Sequence, residues 1–308
     1  MSINKFQKMS IFILLLLLFV AFIVGILLFS RRCVSVVHDN NYFPFAFSLP
    51  IKTGIQWATG DAFPTLAAIG YQYIVCQIHT DWTDWNGILE GWLNQAKQLK
   101  IQLVIGAYPD PWTLKTDGTD HWNLSPDGGL FLTTVSNHPE SVMAIYGLNE
   151  PYLYGYTPAQ LRSLRYLIQI INPTLKIYHD IGALGSWINT DQTNICDFAG
   201  IWYYPFFKTG YDANGLVAQV RSLSSYVITK MQPAVPVWLG QTFQDTKTGG
   251  INIMPTPSQL QDANCKIRAN LPTGSLITWY AWSDTFYSDD LQSHPELLPF
   301  TLSRSCPT

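Results

Sequence analysis

The stretch VMAIYGLNEP, residues 142–151, decides the fold class of this 308-residue chain. Its first seven residues are apolar on both faces, as in a strand that is buried on both sides within a parallel sheet. The stretch QLVIGA, residues 102–107, has the same character. A polar pair, Asn149-Glu150, follows the longer stretch. These features predict a parallel sheet that is covered by helices.

Strand-like and helix-like patterns alternate outward from this stretch. The predicted strands are 45–49, 73–78, 102–107, 142–148, 176–179, 200–204, 235–240 and 276–281. The predicted helices are 63–69, 85–99, 129–136, 158–171, a short irregular piece near 186–193, 216–229 and 257–269. Thr157-Pro158 and Thr256-Pro257 carry N-terminal capping signals. Eight such units predict an α/β fold, a closed (β/α)8 or TIM barrel. A doubly wound open sheet is the alternative, but the chain lacks the GxGxxG and GxxxxGK[ST] phosphate-binding patterns.

An apolar run, IFILLLLLFVAFIVGILLF, occupies residues 11–29. As a helix it is about 28 Å long, which is enough to span a bilayer. The run is longer than the apolar part of a signal peptide and lacks a clear cleavage site, so an uncleaved transmembrane anchor is favoured over a removed signal. The predicted organisation is a basic flank (1–10), the anchor or signal (11–29), a linker (30–41) and a barrel domain (42–308).

This organisation predicts a single-pass membrane protein whose barrel lies outside the cytoplasm, or a secreted protein if the segment is cleaved. The five cysteines fit that setting, because Cys306 is a plausible disulfide partner for Cys33 or Cys265 in a closed barrel. Cys76 lies in an apolar strand and is expected to be a buried free thiol. No cysteine or histidine has zinc-ligand spacing, so no metal and no cofactor are predicted.

Composition narrows the class of partner. Charged residues make up 13% of the chain and the formal net charge is -3, which gives no electrostatic basis for binding nucleic acid. The chain has 11 Trp and 16 Tyr, more than a core of this size requires. Aromatic faces at a cleft commonly bind the apolar faces of sugar rings. Filling of the core is the alternative and is expected to account for more than half of these residues, which leaves the others as candidates for binding carbohydrate. Composition makes no prediction of oligomeric state.

Active sites of such barrels lie at the carboxyl ends of the strands. The residues that follow the predicted strands are polar or aromatic: Ser48, His79, Asp81, Tyr108, Asp110, Asn149, Glu150, His179, Asp180, Tyr203, Tyr204, Gln241, Trp282 and Asp284. Their concentration at one rim predicts a polar ligand. The catalytic candidates are Glu150, Gln241, Asp180 and Asp284. The predicted substrate-binding residues are Asn149, His79, Asp81, Tyr108, Asp110, Tyr203, Tyr204 and Trp282.

Ala144 to Pro151, at the end of the fourth predicted strand, resembles the Asn-Glu-Pro signature of the large retaining clan of barrel glycoside hydrolases, which includes cellulases, mannanases and β-galactosidases. The resemblance implies that Glu150 is the general acid/base and that Asn149 hydrogen-bonds a sugar 2-hydroxyl. Trp282 matches the tryptophan that floors the subsite next to the cleaved bond. The stretch 197–205 is similar to the sixth strand of these enzymes, which often ends in an aromatic residue.

The seventh strand departs from that pattern. The clan places its nucleophilic glutamate there, whereas Gln241 follows Gly240 in this chain. An uncharged amide cannot form a glycosyl ester or accept a proton. Another carboxylate can take the role: Asp180, Asp284, Asp81 or Asp110. A 2-acetamido group of the substrate can also supply the nucleophile, which would imply N-acetylhexosamine substrates.

A third explanation is that the barrel has lost catalysis and binds glycans as a membrane-anchored module. Two other enzyme classes receive no support from the sequence. A serine hydrolase would need a GxSxG elbow after a strand, and the chain has none. A metal-dependent hydrolase would need clustered histidines, and only His79 and His179 follow strands. The sequence therefore favours a glycosidase that uses Glu150, with a carbohydrate-binding module as the alternative.

Overall fold

The computed structural model describes residues 51–56, 58–116, 118–182, 190–245, 251–280, 290–303 and 306. The described elements all lie within one compact unit, Ser48–Thr308, and a separate unit, Met1–Phe47, lies outside the described residues. Within the described ranges, no helix is both long enough and apolar enough to cross a membrane. The apolar run 11–29, predicted to be an anchor, falls outside those ranges.

The described elements alternate along the chain. The strands are β1 (Lys52–Gln56), β2 (Tyr73–His79), β3 (Gln102–Tyr108), β4 (Trp112–Leu114), β5 (Trp122–Leu124), β6 (Val142–Asn149), β7 (Ile177–Asp180), β8 (Phe198–Trp202), β9 (Phe206–Phe207), β10 (Gly210–Tyr211), β11 (Val235–Gln241) and β12 (Leu276–Tyr280). The helices are α1 (Phe63–Ile69), α2 (Trp85–Leu99), α3 (Pro126–Ser136), α4 (Pro158–Ile171), α5 (Ala213–Lys230), α6 (Pro257–Asn270) and α7 (Leu298–Leu302).

Eight of these strands close into a parallel barrel in the order β1-β12-β11-β8-β7-β6-β3-β2. All of their pairings are parallel, and β1 completes the ring by pairing with both β12 and β2. Two short antiparallel hairpins, β4–β5 and β9–β10, lie in the connections after β3 and β8. The predicted closed barrel is therefore confirmed, and the hairpins are additions that the apolar pattern did not reveal.

The core has two layers. Alternate strand residues fill the barrel interior, and their neighbours pack between the barrel and the helices. The interior layer comprises Tyr73, Val75, Val104, Ala144, Tyr146, Tyr178, Phe198, Val237, Leu239 and Leu276. This alternation explains why the strands are apolar on both faces, since each face contacts protein.

Local capping chemistry fixes the starts of several helices. Thr157 and Thr256 each form a complete capping box, with Gln160 and Gln259 respectively, and a proline follows each threonine. Ser125 caps α3 by accepting a hydrogen bond from the amide of Gly128. The two threonine caps confirm the helix starts predicted from the sequence.

The first strand was predicted incorrectly. The apolar stretch 45–49 lies outside the described residues, and the strand that closes the barrel is β1, Lys52–Gln56. This strand, KTGIQ, contains a lysine and a glycine and is therefore not an apolar run of the kind that predicted the other strands. The glycine is required by packing, because a Cβ at Gly54 would lie 2.4 Å from the ring of Tyr73. Since the strand is later in the chain, its last residue is Gln56 and not Ser48.

The C-terminal part is tied to the barrel by a disulfide. Cys265 in α6 is bonded to Cys306. This confirms one of the two pairings expected for Cys306. Cys76 is buried and free, as predicted, and Cys196 is also a buried free thiol.

Candidate functional site

The carboxyl ends of the eight barrel strands form the mouth of the barrel. The last residues of these strands are Gln56, His79, Tyr108, Asn149, Asp180, Trp202, Gln241 and Tyr280. His79, Tyr108, Asn149, Asp180 and Gln241 were predicted from the sequence to lie at this rim. The structure brings them to one end of the barrel, because parallel strands share their carboxyl edge.

Glu150 follows β6 directly and has an unusual backbone. An extra residue in β6 between Tyr146 and Asn149 shifts the register, so that Asn149 lies opposite Asp180. Glu150 then adopts a φ of 43°, a left-handed conformation that non-glycine residues rarely occupy. Its amide donates a hydrogen bond of 2.7 Å to the carbonyl of Asp180. The bulge and the turn that follows it fix the position of Glu150 at the mouth.

The electrostatic setting of Glu150 favours its protonated form. Partial burial raises the pKa of Glu150 above its ordinary value, and the negative charge of Asp180 raises it further. A carboxylic acid that keeps its proton nearer to neutral pH is suited to general acid chemistry. Asn149, the preceding residue, has an exposed side chain at the same rim.

Asp180 forms the floor of the mouth. It is 2% exposed, and its Oδ2 accepts hydrogen bonds from Gln56 Nε2 at 3.0 Å and from the Tyr146 hydroxyl at 2.6 Å. Its Oδ1 accepts from the Tyr178 hydroxyl. Burial raises the pKa of Asp180, although the three donors oppose that shift. Asp180 is thus a buried carboxyl held by three protein partners.

Gly200 makes room for this floor. A Cβ at Gly200 would lie 2.3 Å from Asp180 Oδ1 and 2.5 Å from the Tyr178 hydroxyl. These separations are far shorter than van der Waals contact, so any side chain at position 200 must displace the carboxyl or the phenol. The glycine in the middle of β8 therefore has a direct role in shaping the mouth.

Gln241, at the end of β11, is 1% exposed and bound to the main chain. Its Oε1 accepts from the amide of Phe206 at 3.1 Å. Its Nε2 lies within hydrogen-bonding distance of the carbonyls of Phe206, Phe243 and Ile253, at 3.3, 3.4 and 3.1 Å. Hydrogen bonds of this side chain therefore link the segments around residues 206 and 253 to the end of β11. These contacts fit the uncharged amide and would not fit a carboxylate.

One wall of the mouth, at the ends of β2 and β3, is aromatic. The ring of His79 stacks on that of Trp82, with centroids 4.7 Å apart and an interplanar angle of 7°. Tyr108 lies 5.0 Å from His79 on a tilted plane. Asp81 Oδ1 is 3.7 Å from His79 Nδ1. The sequence had indicated His79, Asp81 and Tyr108, but not Trp82.

Asp110 lies two residues beyond the end of β3, the strand that neighbours β6. Its side chain is exposed, yet surrounding protein removes part of its water and raises the pKa of Asp110 to about 6. Its charge also raises the pKa values of Tyr146 and Tyr156. Asp110 is therefore a solvent-accessible carboxyl that titrates close to neutral pH.

The opposite side of the mouth carries a second aromatic group. Tyr204 stacks on Trp202 with centroids 6.1 Å apart and meets Phe243 edge to face at 5.0 Å. Tyr203, in contrast, donates its hydroxyl to Asp212, the residue that caps α5. Tyr204 therefore belongs to the aromatic group, whereas the hydroxyl of Tyr203 contributes to the start of a helix.

Several predicted residues fall elsewhere. Trp282 and Asp284 lie outside the described residues. His179 is fully buried; its Nδ1 accepts from the amide of Leu148, and burial lowers the pKa of His179 to about 3. It therefore supports the strands as a neutral ring. In the described ranges, no group of three or more His, Cys, Asp or Glu is placed to hold a metal ion.

Besides Trp82, the sequence did not reveal four further site residues: Gln56, Tyr146, Tyr178 and Trp202. Tyr146 and Tyr178 lie inside apolar strands, where the sequence pattern predicts core residues. Only the hydrogen bonds from their hydroxyls to Asp180 identify them as residues of the site. Gln56 was missed because the first strand was misplaced. Trp202 was missed because β8 ends two residues earlier than predicted.

A cavity of about 400 Å³ lies at the other end of the barrel, beside the amino ends of the strands. Its lining includes Lys52, Gln102, Val142 and Lys176. This end of a barrel usually contributes to stability and not to chemistry. Glu150, Asp180 and Asp110, whose pKa values are raised, follow or end strands at the mouth, and we place the candidate site there.

No family model and no curated protein matches the chain. Solved structures do. One described as a glycoside hydrolase-like protein has a TM-score of 0.56 at 11% identity, covering 82% of this chain and 89% of its own. A candidate α-L-fucosidase from Bacteroides thetaiotaomicron has a TM-score of 0.55 at 10% identity, with coverage of 87% and 98%.

A third structure, a Cellulomonas fimi endo-β-1,4-mannanase double mutant, has a TM-score of 0.53 at 10% identity and covers 82% of this chain and 71% of its own. The chain has the fold of glycoside hydrolase-like TIM barrels. The resemblance to barrel glycoside hydrolases that was seen in the sequence is therefore confirmed for the fold. At 10–11% identity the likeness concerns the fold, so the function is argued from the residues of the mouth.

Proposed function

We propose that this chain is a glycoside hydrolase-like enzyme that cleaves O-glycosidic bonds of oligo- or polysaccharides, with Glu150 as the general acid/base. The observation that carries the proposal is the position of Glu150, which is held at the mouth by the bulge in β6 and has its pKa raised by burial and by Asp180. A protonated Glu150 is suited to donate its proton to the departing glycosidic oxygen. Asn149, exposed beside it, is suited to hydrogen-bond the sugar.

The second catalytic role needs a group that the solvent or the substrate can reach. Gln241 has no charge, and the oxygens of Asp180 accept hydrogen bonds from three protein donors. Asp110 fits better because it is exposed, follows the neighbouring strand and titrates close to neutral pH. We assign it the role of base that activates water, which gives an inverting reaction.

In this mechanism Glu150 donates its proton to the leaving oxygen while Asp110 removes a proton from the attacking water. The water oxygen forms the new bond to the sugar carbon, and the electron pair of the broken bond goes to the leaving oxygen. Burial and the negative charge of Asp180 both raise the pKa of Glu150, which favours its proton-donating form. An inverting pair requires about 6.5 to 9.5 Å between its carboxyl groups.

The second candidate function is carbohydrate binding without hydrolysis. The observation in its favour is Gln241, whose amide is committed to the main chain at the position where the retaining clan carries its nucleophile. The exposed aromatic rings at the mouth serve either function. Hydrolysis requires the carboxyl of Glu150 as a proton donor, whereas carbohydrate binding does not.

Hydrolysis of a panel of neutral oligosaccharides and aryl glycosides by the full chain tests the proposal. Glu150→Gln is expected to lower the rate roughly 100- to 10,000-fold, because the proton donor is lost. Glu90→Gln is the matched control, since Glu90 is exposed on α2. If wild type hydrolyses no member of the panel and Glu150→Gln binds sugars as wild type does, the binding function replaces the hydrolase.

We also propose that the run 11–29 anchors the barrel at the outer face of a membrane, or directs its secretion if cleaved. The Cys265–Cys306 disulfide supports a location outside the cytoplasm, because such bonds persist in oxidising compartments. Alkaline extraction of membranes tests the anchor. The full chain should stay with the membrane, and a chain that starts at residue 30 should be released; release of both would contradict the proposal.

A further inference from the structure

A cluster of exposed aromatic rings lies on the β2–β3 wall of the mouth. Trp82 is 38% exposed and Tyr108 is 53% exposed. Each is a large side chain with apolar surface in contact with water, and the two flank the ring of His79. Neighbouring exposed rings beside a functional mouth indicate a ligand surface, whereas scattered exposed residues do not.

Ring contacts within the protein support Trp82 from behind. Trp82 stacks on His79 and meets Trp92 edge to face at 6.4 Å. Trp92 is 9% exposed and packs against the buried ring of Phe63 at 5.7 Å. Trp82 is thus backed by core rings, and Tyr108 contacts the ring of His79. A preorganised surface loses little conformational entropy when a ligand binds.

The cluster lies beside Glu150 and not over it. Strands β6, β3 and β2 are consecutive in the barrel. Neighbouring strands are about 4.8 Å apart, so the end of β2 is roughly 10 Å from the end of β6. That distance corresponds to about one or two hexose rings. A sugar on Trp82 is therefore a different unit of the chain from the sugar whose bond lies at Glu150.

The charges near the cluster restrict the kind of sugar. Asp81 lies beside His79, and Asp110 follows Tyr108 on the same connection. With a pKa of about 6, Asp110 is mostly ionised at neutral pH. Two carboxylates beside the rings oppose the approach of an acidic sugar and leave an uncharged one unaffected.

We propose that Trp82 and Tyr108 form a second sugar-binding subsite for an uncharged hexose of an oligosaccharide whose cleaved bond lies at Glu150. The inference rests on the proposed function and specifies its substrate class: a neutral oligosaccharide that spans the β6–β3–β2 side of the mouth. The pyranose ring stacks its apolar face on the aromatic surface. Longer substrates gain binding energy there that a single sugar does not.

The test is calorimetric binding to the full chain carrying Glu150→Gln, which leaves the ligand intact. The probes are neutral gluco-, manno- and xylo-oligosaccharides of one to six units, with oligogalacturonides of equal length as the acidic comparison. Affinity is expected to rise with length for a neutral series. Adding Trp82→Ala should weaken the longer ligands about tenfold. Adding Tyr166→Ala, an exposed aromatic residue on α4, should change nothing.

Other outcomes overturn the subsite. It is wrong if Trp82→Ala leaves the affinity of the longer ligands unchanged, if no neutral series binds, or if oligogalacturonides bind as tightly as neutral chains. The hydrolase proposal fails separately, when wild type cleaves none of the ligands that it binds. If binding depends on Trp82 but no ligand is hydrolysed, the subsite proposal stands and the hydrolase proposal fails.

Discussion

The amide of Glu150 donates a hydrogen bond of 2.7 Å to the main-chain carbonyl of Asp180, and the carboxylate of Asp180 raises the pKa of Glu150. One residue thus both places the proposed acid and adjusts its proton affinity. Asp180 is held in turn by two tyrosine hydroxyls and by the amide of Gln56. The chemistry proposed for the mouth depends on this pairing.

Asp180→Asn is expected to move the high-pH limb of the activity profile to lower pH. Glu150 acts as an acid only while protonated, and the charge of Asp180 raises its pKa. Removing that charge lowers the pKa of Glu150, so activity is lost at lower pH. Rate measured against pH checks this, with Asp127→Asn on α3 as the control. An unchanged limb, or one at higher pH, would show that Asp180 does not act on Glu150.

Gly200→Ala should destabilise the fold by about 1–3 kcal/mol, because its Cβ would meet Asp180 Oδ1 at 2.3 Å. The same change at Gly129 in α3 is the control, since its Cβ meets nothing within 4 Å. Gly129→Ala is expected to be neutral or stabilising by up to about 1 kcal/mol. Denaturant unfolding of both variants measures the difference. Equal stabilities would mean that the floor of the mouth is not tightly packed.

Gln241→Glu should not create a nucleophile and should cost about 3 kcal/mol. The carboxylate would face the carbonyls that now surround the Gln241 amide nitrogen. Burial among carbonyl oxygens raises the pKa of the new carboxyl in the folded chain. The loss of unfolding free energy is therefore small at low pH, where the carboxyl is protonated, and grows as the pH rises above the pKa of an ordinary glutamate.

Chemical unfolding at pH 4 and pH 8 measures the effect of Gln241→Glu. Gln259→Glu is the matched control, because a glutamate serves equally well in the capping box with Thr256. A Gln241→Glu chain that is as stable as wild type at pH 8 and gains activity would contradict the main-chain role of Gln241.

Loss of the Cys265–Cys306 disulfide should destabilise the chain by up to about 4 kcal/mol, since the bond closes a segment with a sequence separation of 41. The double variant Cys265→Ser/Cys306→Ser is compared with wild type in thermal melts, with and without reductant. Reductant should lower the melting temperature of wild type and leave the double variant unchanged. If neither responds, the bond does not stabilise the fold.

The strand-helix alternation was enough to predict the barrel, because seven of its eight strands overlap apolar runs that were recognised in the sequence. The first strand was not predicted, because Lys52 and Gly54 interrupt its apolar pattern. The glycine is required by contact with the ring of Tyr73, which lies 19 residues later in the sequence and cannot be foreseen from the neighbours of Gly54. Local capping signals, such as Thr157 with Gln160, gave the starts of helices correctly because they depend only on neighbours along the chain.

The site was predictable only in part. Glu150 and Asp180 were found by their positions at strand ends, a property of the sequence once the strands are known. The tyrosines that hold Asp180 were not, since Tyr146 and Tyr178 are indistinguishable from core residues until their hydroxyls are placed. The hydrogen bonds of Gln241 to the main chain were not predictable either, because Phe206 follows a different barrel strand, β8, and Ile253 lies 12 residues further along the chain.

The dependence of hydrolysis on leaving-group acidity tests most directly whether Glu150 is the general acid. Aryl glycosides of one sugar, from phenyl to 2,4-dinitrophenyl, are compared in wild type and Glu150→Gln. The variant should hydrolyse the dinitrophenyl glycoside at near wild-type rate, because that group leaves without a proton, and should lose roughly 100- to 10,000-fold on the phenyl glycoside. An equal loss on both substrates, or no loss on either, would contradict the assignment of Glu150.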